Sequence, residues 1–292
     1  MALVGRPNVG KSTLLNKILG QKISITSRKP QTTRHQITGV QTDGDTQTIF
    51  VDTPGIQSKY QSAIHRYMNK AASSTFQDVD VIVFIVDRLE WSEADQHVAD
   101  ALREVSAPVI LVINKVDKLL DKNRLLPHIQ DLSGKLNWAG IVPLSAKSGH
   151  NLDDLKSAIK KRLPLATHLY DPDHLTDRSI RFLASELIRE KIMRQMGDEL
   201  PHKVAVELER FEESDRIIHI DGLIWVERDS QKKMVVGRAG ERIKQIGSEA
   251  RVDIEKMCEK KVMLRLWVKV KTHWSDDDQM LKNLGFNEQF SQ

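Results

Sequence analysis

Short apolar runs alternate with amphipathic stretches over residues 1–165, which predicts strands alternating with helices. Two of the runs, Val81–Val86 and Val109–Ile113, are continuously apolar, as strands covered on both faces of a sheet must be. The predicted strands are Ala2–Val4, Gln36–Thr42, Thr46–Asp52, Val81–Asp87, Val109–Asn114 and Ile141–Leu144. The predicted helices are Ser12–Leu19, Ala63–Ser74, Ser92–Val105, Leu125–Leu136 and Leu152–Arg162.

This order of elements favours an α/β fold with a mixed, mostly parallel six-stranded sheet and helices on both of its faces. The second and third strands are joined by Asp43-Gly44-Asp45, which is typical of a tight hairpin. We therefore expect one antiparallel strand at an edge of the sheet. The first strand is short, with only four residues before Gly5, and the sequence leaves open whether residues preceding Met1 are missing.

The remaining chain has a different pattern and predicts a smaller α+β domain. Residues 166–176 carry no hydrophobic period and form the predicted linker between domains at 1–165 and 177–292. A helix with apolar residues at 3–4 spacing follows, and Thr176 or Asp177 could cap it. Alternating runs near residues 204–208, 218–226 and 262–270 predict three strands, with two helices between the second and the third.

Composition narrows the class of protein without deciding its function. The chain has 292 residues, 40% of them hydrophobic, and a formal net charge of +4. Residues 228–271 hold 13 lysines and arginines against 6 aspartates and glutamates, which favours a surface that faces a polyanion. The single cysteine, Cys258, can form no internal disulfide, and the apolar runs are too short to span a bilayer. We expect a cytoplasmic protein.

A glycine-rich motif at the start of the chain is the first candidate binding site. Residues 5–12 have the spacing G-x-x-x-x-G-K-S between a strand and a helix, the pattern of a loop that cradles phosphates. Its backbone amides, with the partial positive charge of the following helix, attract phosphate oxygens, and Lys11 adds a full positive charge. The predicted nucleotide-binding residues here are Gly5, Arg6, Pro7, Asn8, Val9, Gly10, Lys11, Ser12 and Thr13.

Two further segments supply hydroxyl and carboxylate oxygens for Mg²⁺. Asp52 ends a strand and is followed by Thr53, Pro54, Gly55 and Ile56, all predicted to line the nucleotide. Ser12 and Thr33, the latter preferred to Thr32, are predicted to complete the Mg²⁺ shell with Asp52, partly through water. Lys11, Thr33 and Gly55 are the predicted catalytic residues. Of these, Gly55 can donate its N–H to a γ-phosphate and move once that phosphate is gone.

The base is predicted to be guanine. Asp117 in the run Asn114, Lys115, Val116, Asp117 can accept hydrogen bonds from N1–H and the 2-amino group of guanine, whereas adenine has an acceptor at N1 and no 2-amino group. Ser145, Ala146 and Lys147 follow the last strand of the sheet, where the Ala146 N–H can reach guanine O6. Discrimination against ATP follows, because the Asp117 carboxylate would stay unpaired beside adenine.

Together these motifs resemble the five guanine-nucleotide motifs of translation-factor-type P-loop GTPases. Within that group the segments at 5–12, 30–35 and 52–55 resemble the Era branch. Ile56 departs from the small Ras-type switches, which carry a water-orienting Gln there, and an aliphatic side chain cannot orient a water. The resemblance implies that Asn8 binds an activating K⁺, which is a hypothesis here. No arginine finger can be assigned within the chain, and Arg34 is the one candidate.

A second resemblance covers the C-terminal domain. Gly237, Arg238, Ala239 and Gly240 form a G-x-x-G sequence between two helices, within the order α-β-β-α-α-β. This arrangement resembles a type II KH domain, in which the loop clamps the backbone of single-stranded RNA. The basic residues around it would add affinity that weakens with salt. The predicted RNA-binding residues are Lys232, Lys233, Gly237, Arg238, Ala239, Gly240, Arg242 and Lys244.

The combined resemblance to Era implies GTP, GDP and Mg²⁺ as ligands, slow intrinsic hydrolysis, and binding to the 3′ end of 16S ribosomal RNA during 30S subunit biogenesis. A peripheral association with the inner membrane is also attributed to the family, and nothing in the sequence supports it independently. No stable protein partner is inferred. Two alternatives stay open: an RNA-binding adaptor with a structural, non-cycling nucleotide, and a GTPase acting in RNA modification, for which the sequence offers no additional catalytic Cys or cofactor site.

Overall fold

The computed structural model describes residues 1–29, 32–55, 62–76, 78–196 and 203–286. The chain forms two compact units. The first comprises Met1–Ser24, Thr33–Tyr60 and Met68–Asp177, and the second comprises Ile25–Thr32, Gln61–Tyr67 and Arg178–Gln292. The second unit therefore includes two short segments that precede most of the first unit in sequence. The domain boundaries at 165 and 177 stay a prediction.

A six-stranded sheet is the framework of the first unit. Its strands are β1 Ala2–Val4, β2 Ile37–Asp43, β3 Thr46–Asp52, β4 Ile82–Asp87, β5 Val109–Asn114 and β6 Gly140–Pro143. They lie in the order β2-β3-β1-β4-β5-β6, where β2 is antiparallel to β3 and the other neighbours are parallel. The prediction of a mostly parallel sheet with one antiparallel edge strand is confirmed.

Every residue of β4 and β5 is buried, so both faces of the sheet centre are covered. The helices of this part of the chain are α1 Lys11–Leu19, α2 Ala63–Ser74, α3 Glu93–Ala101, α4 Leu125–Ser133 and α5 Leu152–Lys160. Val98 and Ala99 of α3 pack on the face that presents Phe84 and Leu111. The continuous apolar runs of the sequence thus correspond to the centre of the hydrophobic core.

Some predicted helix ends are wrong by a few residues; α3 ends at Ala101, where a 3-10 turn follows, rather than at Val105. α3 starts at Glu93 because Ser92 is its N-cap, accepting from the Asp95 N–H while the Asp95 carboxylate accepts from the Ser92 N–H. α4 ends at Ser133, before Gly134, rather than at Leu136. β6 lies one residue earlier than predicted. The type and order of these elements agree with the prediction.

The end of the predicted linker lies along the sheet. The Val40 N–H donates to the Leu175 carbonyl at 2.8 Å, and Gly39 and Thr176 form an antiparallel bridge. The Thr176 hydroxyl donates to the Thr38 carbonyl at 2.6 Å, so Thr176 does not cap a helix as predicted. Residues 175 and 176 therefore cover the outer edge of β2, the edge that does not pair with β3.

The second unit has the predicted α-β-β-α-α-β order. Its elements are α6 Ile180–Gln195, β7 Val204–Glu213, β8 Ile217–Val226, α7 Asp229–Val236, α8 Glu241–Cys258, β9 Lys261–Val270 and, beyond the predicted set, α9 Asp278–Asn283. β8 is central in the sheet, antiparallel to β7 and parallel to β9. Ser179 caps α6, and Ile188 of α6 packs with Ile246 of α8 in one apolar core with the strands. No helix among the described residues is long and apolar enough to cross a membrane.

Candidate functional site

The predicted phosphate-binding loop, residues 5–12 and called here the phosphate-type loop, connects β1 to α1. Its course depends on two glycines. Gly5 has a φ of 147° and Gly10 a φ of 109°, in the region that L side chains rarely adopt. A Cβ on Gly5 would lie 2.4 Å from the Ile85 carbonyl oxygen, so any larger residue would push the loop off β4. Val9 is fully buried, whereas Asn8 is exposed. The loop thus curves tightly over the carboxyl ends of the central strands.

Lys11 is the buried cation of this loop. Its Nζ donates to the carbonyls of Gly5, at 2.9 Å, and Arg6, at 3.1 Å, and the side chain is only 6% exposed. Burial lowers the pKa of Lys11 to about 8, against the opposing attraction of Asp52. A desolvated ammonium inside a ring of backbone groups is poised to attract an anion, and bound phosphates would stabilise its charge.

Ser12, Thr33 and Asp52 come together as predicted for a divalent-cation site. The Ser12 Oγ lies 2.8 Å from the Thr33 Oγ1 and donates to the Asp52 Oδ2 at 2.7 Å. Asp52 is fully buried, and its Oδ1 has no hydrogen-bond partner within the part of the chain that the structure describes. Two hydroxyls and a carboxylate with an unused oxygen are hard oxygen ligands, so the residues fit Mg²⁺.

Asp52 also reveals a residue that the sequence analysis missed. The Ser24 hydroxyl donates to the same Oδ2 at 2.9 Å, at the end of the segment that follows α1. Burial raises the pKa of Asp52, while Lys11 and the bonds from Ser12 and Ser24 lower it. No local motif marks Ser24, because its role depends on where the loop returns to the sheet.

Gly55 lies against the phosphate-type loop. A Cβ on Gly55 would come within 2.9 Å of the Pro7 backbone nitrogen, so only glycine allows this approach. The Thr53 hydroxyl donates to the Leu3 carbonyl at 3.0 Å and fixes the end of β3 beside β1. Ile56 lies outside the described residues. Arg34, the candidate arginine finger, is 1% exposed and hence buried within the fold.

The base-recognition motifs meet through Asn114. Its Nδ2 donates to the Val9 carbonyl at 2.8 Å, and its Oδ1 accepts from the Lys115 N–H at 2.7 Å and the Ala146 N–H at 2.9 Å. Asp117 and Lys147 are exposed, whereas Val116 and Ser145 are buried. The predicted motif residues therefore gather at the carboxyl ends of β5 and β6, with the Asp117 carboxylate accessible.

Lys115 joins this group to the phosphate-type loop. Its Nζ donates to the Asn8 carbonyl at 2.7 Å and to the Asp87 Oδ2 at 2.6 Å. Burial raises the pKa of Asp87, but the hydrogen bonds from Lys115 and Arg88 outweigh it and lower that pKa. Asp87 was not predicted as a site residue, although its place at the end of β4, in register with Asn114, is a signal that could have identified it.

The G-x-x-G sequence forms a sharp turn between α7 and α8. Gly237 and Gly240 have φ values of 75° and 80°, and a Cβ on Gly237 would lie 2.7 Å from the Cβ of Arg242. Ala239 also has a positive φ, of 50°. The basic and loop residues that project to solvent are Lys232, Lys233, Arg238, Ala239, Arg242 and Lys244. Six neighbouring exposed positions, five of them cationic, make an RNA-facing surface physically reasonable.

A groove beside this loop lies between α8 and β9. Gly247 of α8 faces Leu266 of β9, and a Cβ there would be in ordinary contact with that side chain, at 3.5 Å. The groove has an apolar floor and a cationic rim, and its lining residues are Ile243, Lys244, Gly247, Ser248, Arg251, Leu264 and Leu266. Such a surface can take flat bases while the rim attracts the backbone.

Comparison with known families agrees with the two units. The family described as "50S ribosome-binding GTPase" matches residues 1–115. The family described as "KH domain" matches residues 199–275.

Relatives match almost the whole chain. "GTPase Era" of Ectopseudomonas mendocina (strain ymp) is 56% identical over 98% of this chain and 96% of its own length. "GTPase Era" of Marinobacter nauticus is 57% identical over 99% of this chain and 94% of its own length.

Two solved structures have the same fold throughout. An Aquifex aeolicus Era variant bound to GDP·AlF4⁻ superposes with a TM-score of 0.94 at 38% identity, covering 98% of this chain and 97% of that one. Era in complex with MgGDPNP and nucleotides 1506–1542 of 16S ribosomal RNA superposes with a TM-score of 0.93 at 37% identity and the same coverage.

Proposed function

Since this chain belongs to the Era GTPase family, we propose that it is a molecular switch that hydrolyses GTP to GDP and phosphate and binds the 3′ end of 16S ribosomal RNA. Its proposed role is to assist biogenesis of the 30S ribosomal subunit. The proposed domains are a GTP-binding domain at 1–165, a linker at 166–176 and an RNA-binding KH domain at 177–292.

The observation that carries the catalytic half of the proposal is the Ser12–Asp52–Thr33 cluster beside Lys11. Ser12, Thr33 and the unused Oδ1 of Asp52 would hold Mg²⁺, which supplies positive charge at the β and γ phosphates when bound. Lys11 would donate to phosphate oxygens in place of the Gly5 and Arg6 carbonyls. Gly55 would offer its N–H to the γ-phosphate, and Asp117 would accept from guanine.

Hydrolysis in this arrangement relies on charge and positioning. Asp52 is not assigned the role of a general base, because Ser12 and Ser24 bond its Oδ2 and its Oδ1 is proposed to face Mg²⁺. The γ-phosphate is transferred to water, and the developing charge is stabilised by Lys11 and the loop amides. Slow intrinsic turnover follows, as suits a timer. Asn8 as a ligand of an activating K⁺ is part of this proposal.

The second half of the proposal assigns RNA to the G-x-x-G turn. Arg238 and its neighbours would contact phosphates, and the α8–β9 groove would take unpaired bases. The solved complex of Era with nucleotides 1506–1542 of 16S ribosomal RNA supports this choice of polyanion. We propose a cytoplasmic location; the membrane-associated state, peripheral on the cytoplasmic face of the inner membrane, rests on family membership alone.

Multiple-turnover phosphate release decides between the switch and the adaptor with a structural nucleotide. With GTP in large excess over the full chain, the switch releases many phosphates per protein, whereas the adaptor stops at one or fewer. Lys11→Ala is the control for contaminating GTPases and should remove the signal. A signal that persists in Lys11→Ala, or wild-type release that ends at a single equivalent, would overturn the catalytic proposal.

A further inference from the structure

Strand β4 ends in a buried acid beside the predicted nucleotide site. Asp87 is 7% exposed and lies opposite Asn114 in the parallel pairing of β4 with β5. Its Oδ2 accepts from the Lys115 Nζ at 2.6 Å, and its Oδ1 accepts from the Arg88 Nε at 2.8 Å. Carboxylates are rarely buried to this extent unless they are paired and hydrogen-bonded. The carboxylate is therefore held from two sides, with one oxygen bonded to Lys115.

The Lys115 ammonium lies between two acceptors. Besides bonding Asp87, its Nζ donates to the carbonyl of Asn8 in the phosphate-type loop, at 2.7 Å. A lysine side chain is a flexible four-carbon stem, so the place of its ammonium is set by its partners. A hydrogen bond between two ions is about twice as strong as one between neutral groups, and Asp87 is the partner that carries a full negative charge. Asp87 is therefore the stronger of the two partners that fix the ammonium.

The backbone around this contact has an uncommon conformation at three residues. Asn8, Arg88 and Lys115 have φ values of 66°, 50° and 64°, in the left-handed region that residues other than glycine rarely adopt. Such conformations persist where the surrounding contacts over-determine them, and they cluster at functional sites. Arg88 is fixed by Asp87 through its Nε and by the Asn114 carbonyl through its N–H, at 2.9 Å. The strained residues thus surround the pair formed by Asp87 and Lys115.

These contacts place one side chain between the phosphate-type loop and the segment that is predicted to recognise the base. Lys115 precedes Asp117 by two positions, and its Nζ reaches the loop at Asn8. We propose that Asp87 is a positioning residue for guanine-nucleotide binding, which holds the Lys115 ammonium on the Asn8 carbonyl and so fixes the spacing of the loop and the base-recognition segment. This inference rests on the function proposed above, and its residues all belong to the first unit.

Asp87→Asn tests the role of the charge, because it keeps the size of the side chain and replaces the carboxylate by a neutral amide. In the full chain it should weaken GDP binding by about tenfold, since the Lys115 ammonium loses its charged partner. Affinity for the GTP analogue GDPNP should fall by the same factor, because the contact does not involve the γ-phosphate. Titration calorimetry with each nucleotide measures both affinities. Unchanged GDP affinity, or a loss confined to GDPNP, would overturn the inference.

Glu90→Gln is the matched control. Glu90 follows β4 in the same segment, and its replacement removes the same charge, but it bonds Arg6 and Arg88, at 2.8 and 3.0 Å, and not Lys115. Its side chain is 53% exposed, and exposed ion pairs contribute little. GDP affinity should therefore stay within about twofold of wild type. An equal loss in both variants would assign the effect to the lost negative charge in general and would overturn the positioning role.

A double-mutant cycle with Lys115→Met separates positioning from a general loss of stability. If Asp87 acts through the Lys115 ammonium, Asp87→Asn should change GDP affinity by less than about twofold in the Lys115→Met background. A full additional loss there would contradict the inference. Should Asp87→Asn fail to fold, Asp87→Glu, which keeps the charge and displaces the carboxylate, replaces it in the cycle.

Wild-type binding of GDP distinguishes a failure of the proposed function from a failure of this inference. A wild-type chain that binds no guanine nucleotide would refute the proposed function and the inference together. Normal GDP binding by both the wild type and Asp87→Asn would refute the inference alone. Neither measurement requires turnover, so the result does not depend on the rate of GTP hydrolysis.

Discussion

The amide of Asn114 is bonded to the carbonyl of Val9 at 2.8 Å, across the carboxyl ends of the central strands. Its oxygen accepts from Ala146 in turn. One buried side chain therefore connects the phosphate-type loop with both segments that are predicted to recognise the base. The described site is a set of loops whose spacing is fixed by this residue.

Replacing Asn114 should loosen the three loops that it connects, which are residues 5–12 and the segments after β5 and β6. Asn114→Ala leaves the Val9 carbonyl and the Ala146 N–H buried without their partner, at a cost of about 1–3 kcal/mol each. We expect a lower melting temperature and guanine-nucleotide affinity reduced by about tenfold or more. Thermal denaturation with and without GDP measures both. Unchanged GDP affinity would show that the loops hold their positions without Asn114.

Asp117 should determine the choice of base. Asp117→Asn loses two hydrogen bonds to a charged group, each worth about 1.5–3 kcal/mol, so GTP affinity should fall by about two to four decades. Xanthosine triphosphate, which has a carbonyl in place of the amino group, should bind the variant better than GTP does. Competition binding between GTP and xanthosine triphosphate measures this change of preference. Equal GTP affinity in the variant and the wild type would refute the assignment.

The G-x-x-G turn should govern RNA binding alone. Arg238→Asp with Ala239→Asp places two negative charges where phosphates are expected, so binding to a 16S 3′-end oligonucleotide should be abolished. Affinity for GDP should be unaffected, which serves as the internal control for folding. Wild-type binding should also weaken steeply with salt. RNA that binds the double variant as tightly as wild type would show that the clamp lies elsewhere.

The lowered pKa of Lys11, about 8, gives nucleotide binding a pH dependence. Bound phosphates favour the charged ammonium and raise its pKa, so binding above pH 8 must take up a proton and affinity must fall as the pH rises. Titration calorimetry at pH 8.5 in two buffers of different ionisation heat measures the uptake. Lys11→Arg, whose guanidinium stays charged, should show less uptake at the same pH. Equal uptake would assign the proton to another group.

Potassium should accelerate hydrolysis if Asn8 holds an activating cation. Because Ile56 cannot orient a water, a bound cation would stabilise charge in the transition state. Turnover should therefore be faster in K⁺ than in Na⁺ at equal ionic strength. Asn8→Ala should remove the difference and leave the slower rate. Equal rates in the two salts for the wild type would eliminate the K⁺ hypothesis.

The sequence predicted the frame of the molecule well because its signals are local. Continuous apolar runs identify β4 and β5, and the Asp43-Gly44-Asp45 turn identifies the β2–β3 hairpin, since the first reflects burial and the second reflects local backbone geometry. The glycines at 5 and 10 mark the loop for the same reason: each needs a backbone conformation that other residues avoid.

The features that the sequence did not predict depend on contacts between residues that are distant in sequence. Ser24 bonds Asp52 from 28 positions away, and no local motif marks it. The cap of α6 was misplaced for a similar reason, because Thr176 bonds the Thr38 carbonyl and Ser179 caps the helix instead. In each case a polar side chain had several plausible local partners, and the tertiary fold selected another.

The stretch near Leu175 and Thr176 has a practical consequence for anyone dividing this protein. By pairing with Gly39 and Val40, it occupies backbone hydrogen-bonding groups that the edge strand β2 would otherwise offer to a neighbouring molecule. A fragment cut after residue 165 would lose that shield and tend to self-associate through β2. One cut after residue 177 would keep it and should stay monodisperse.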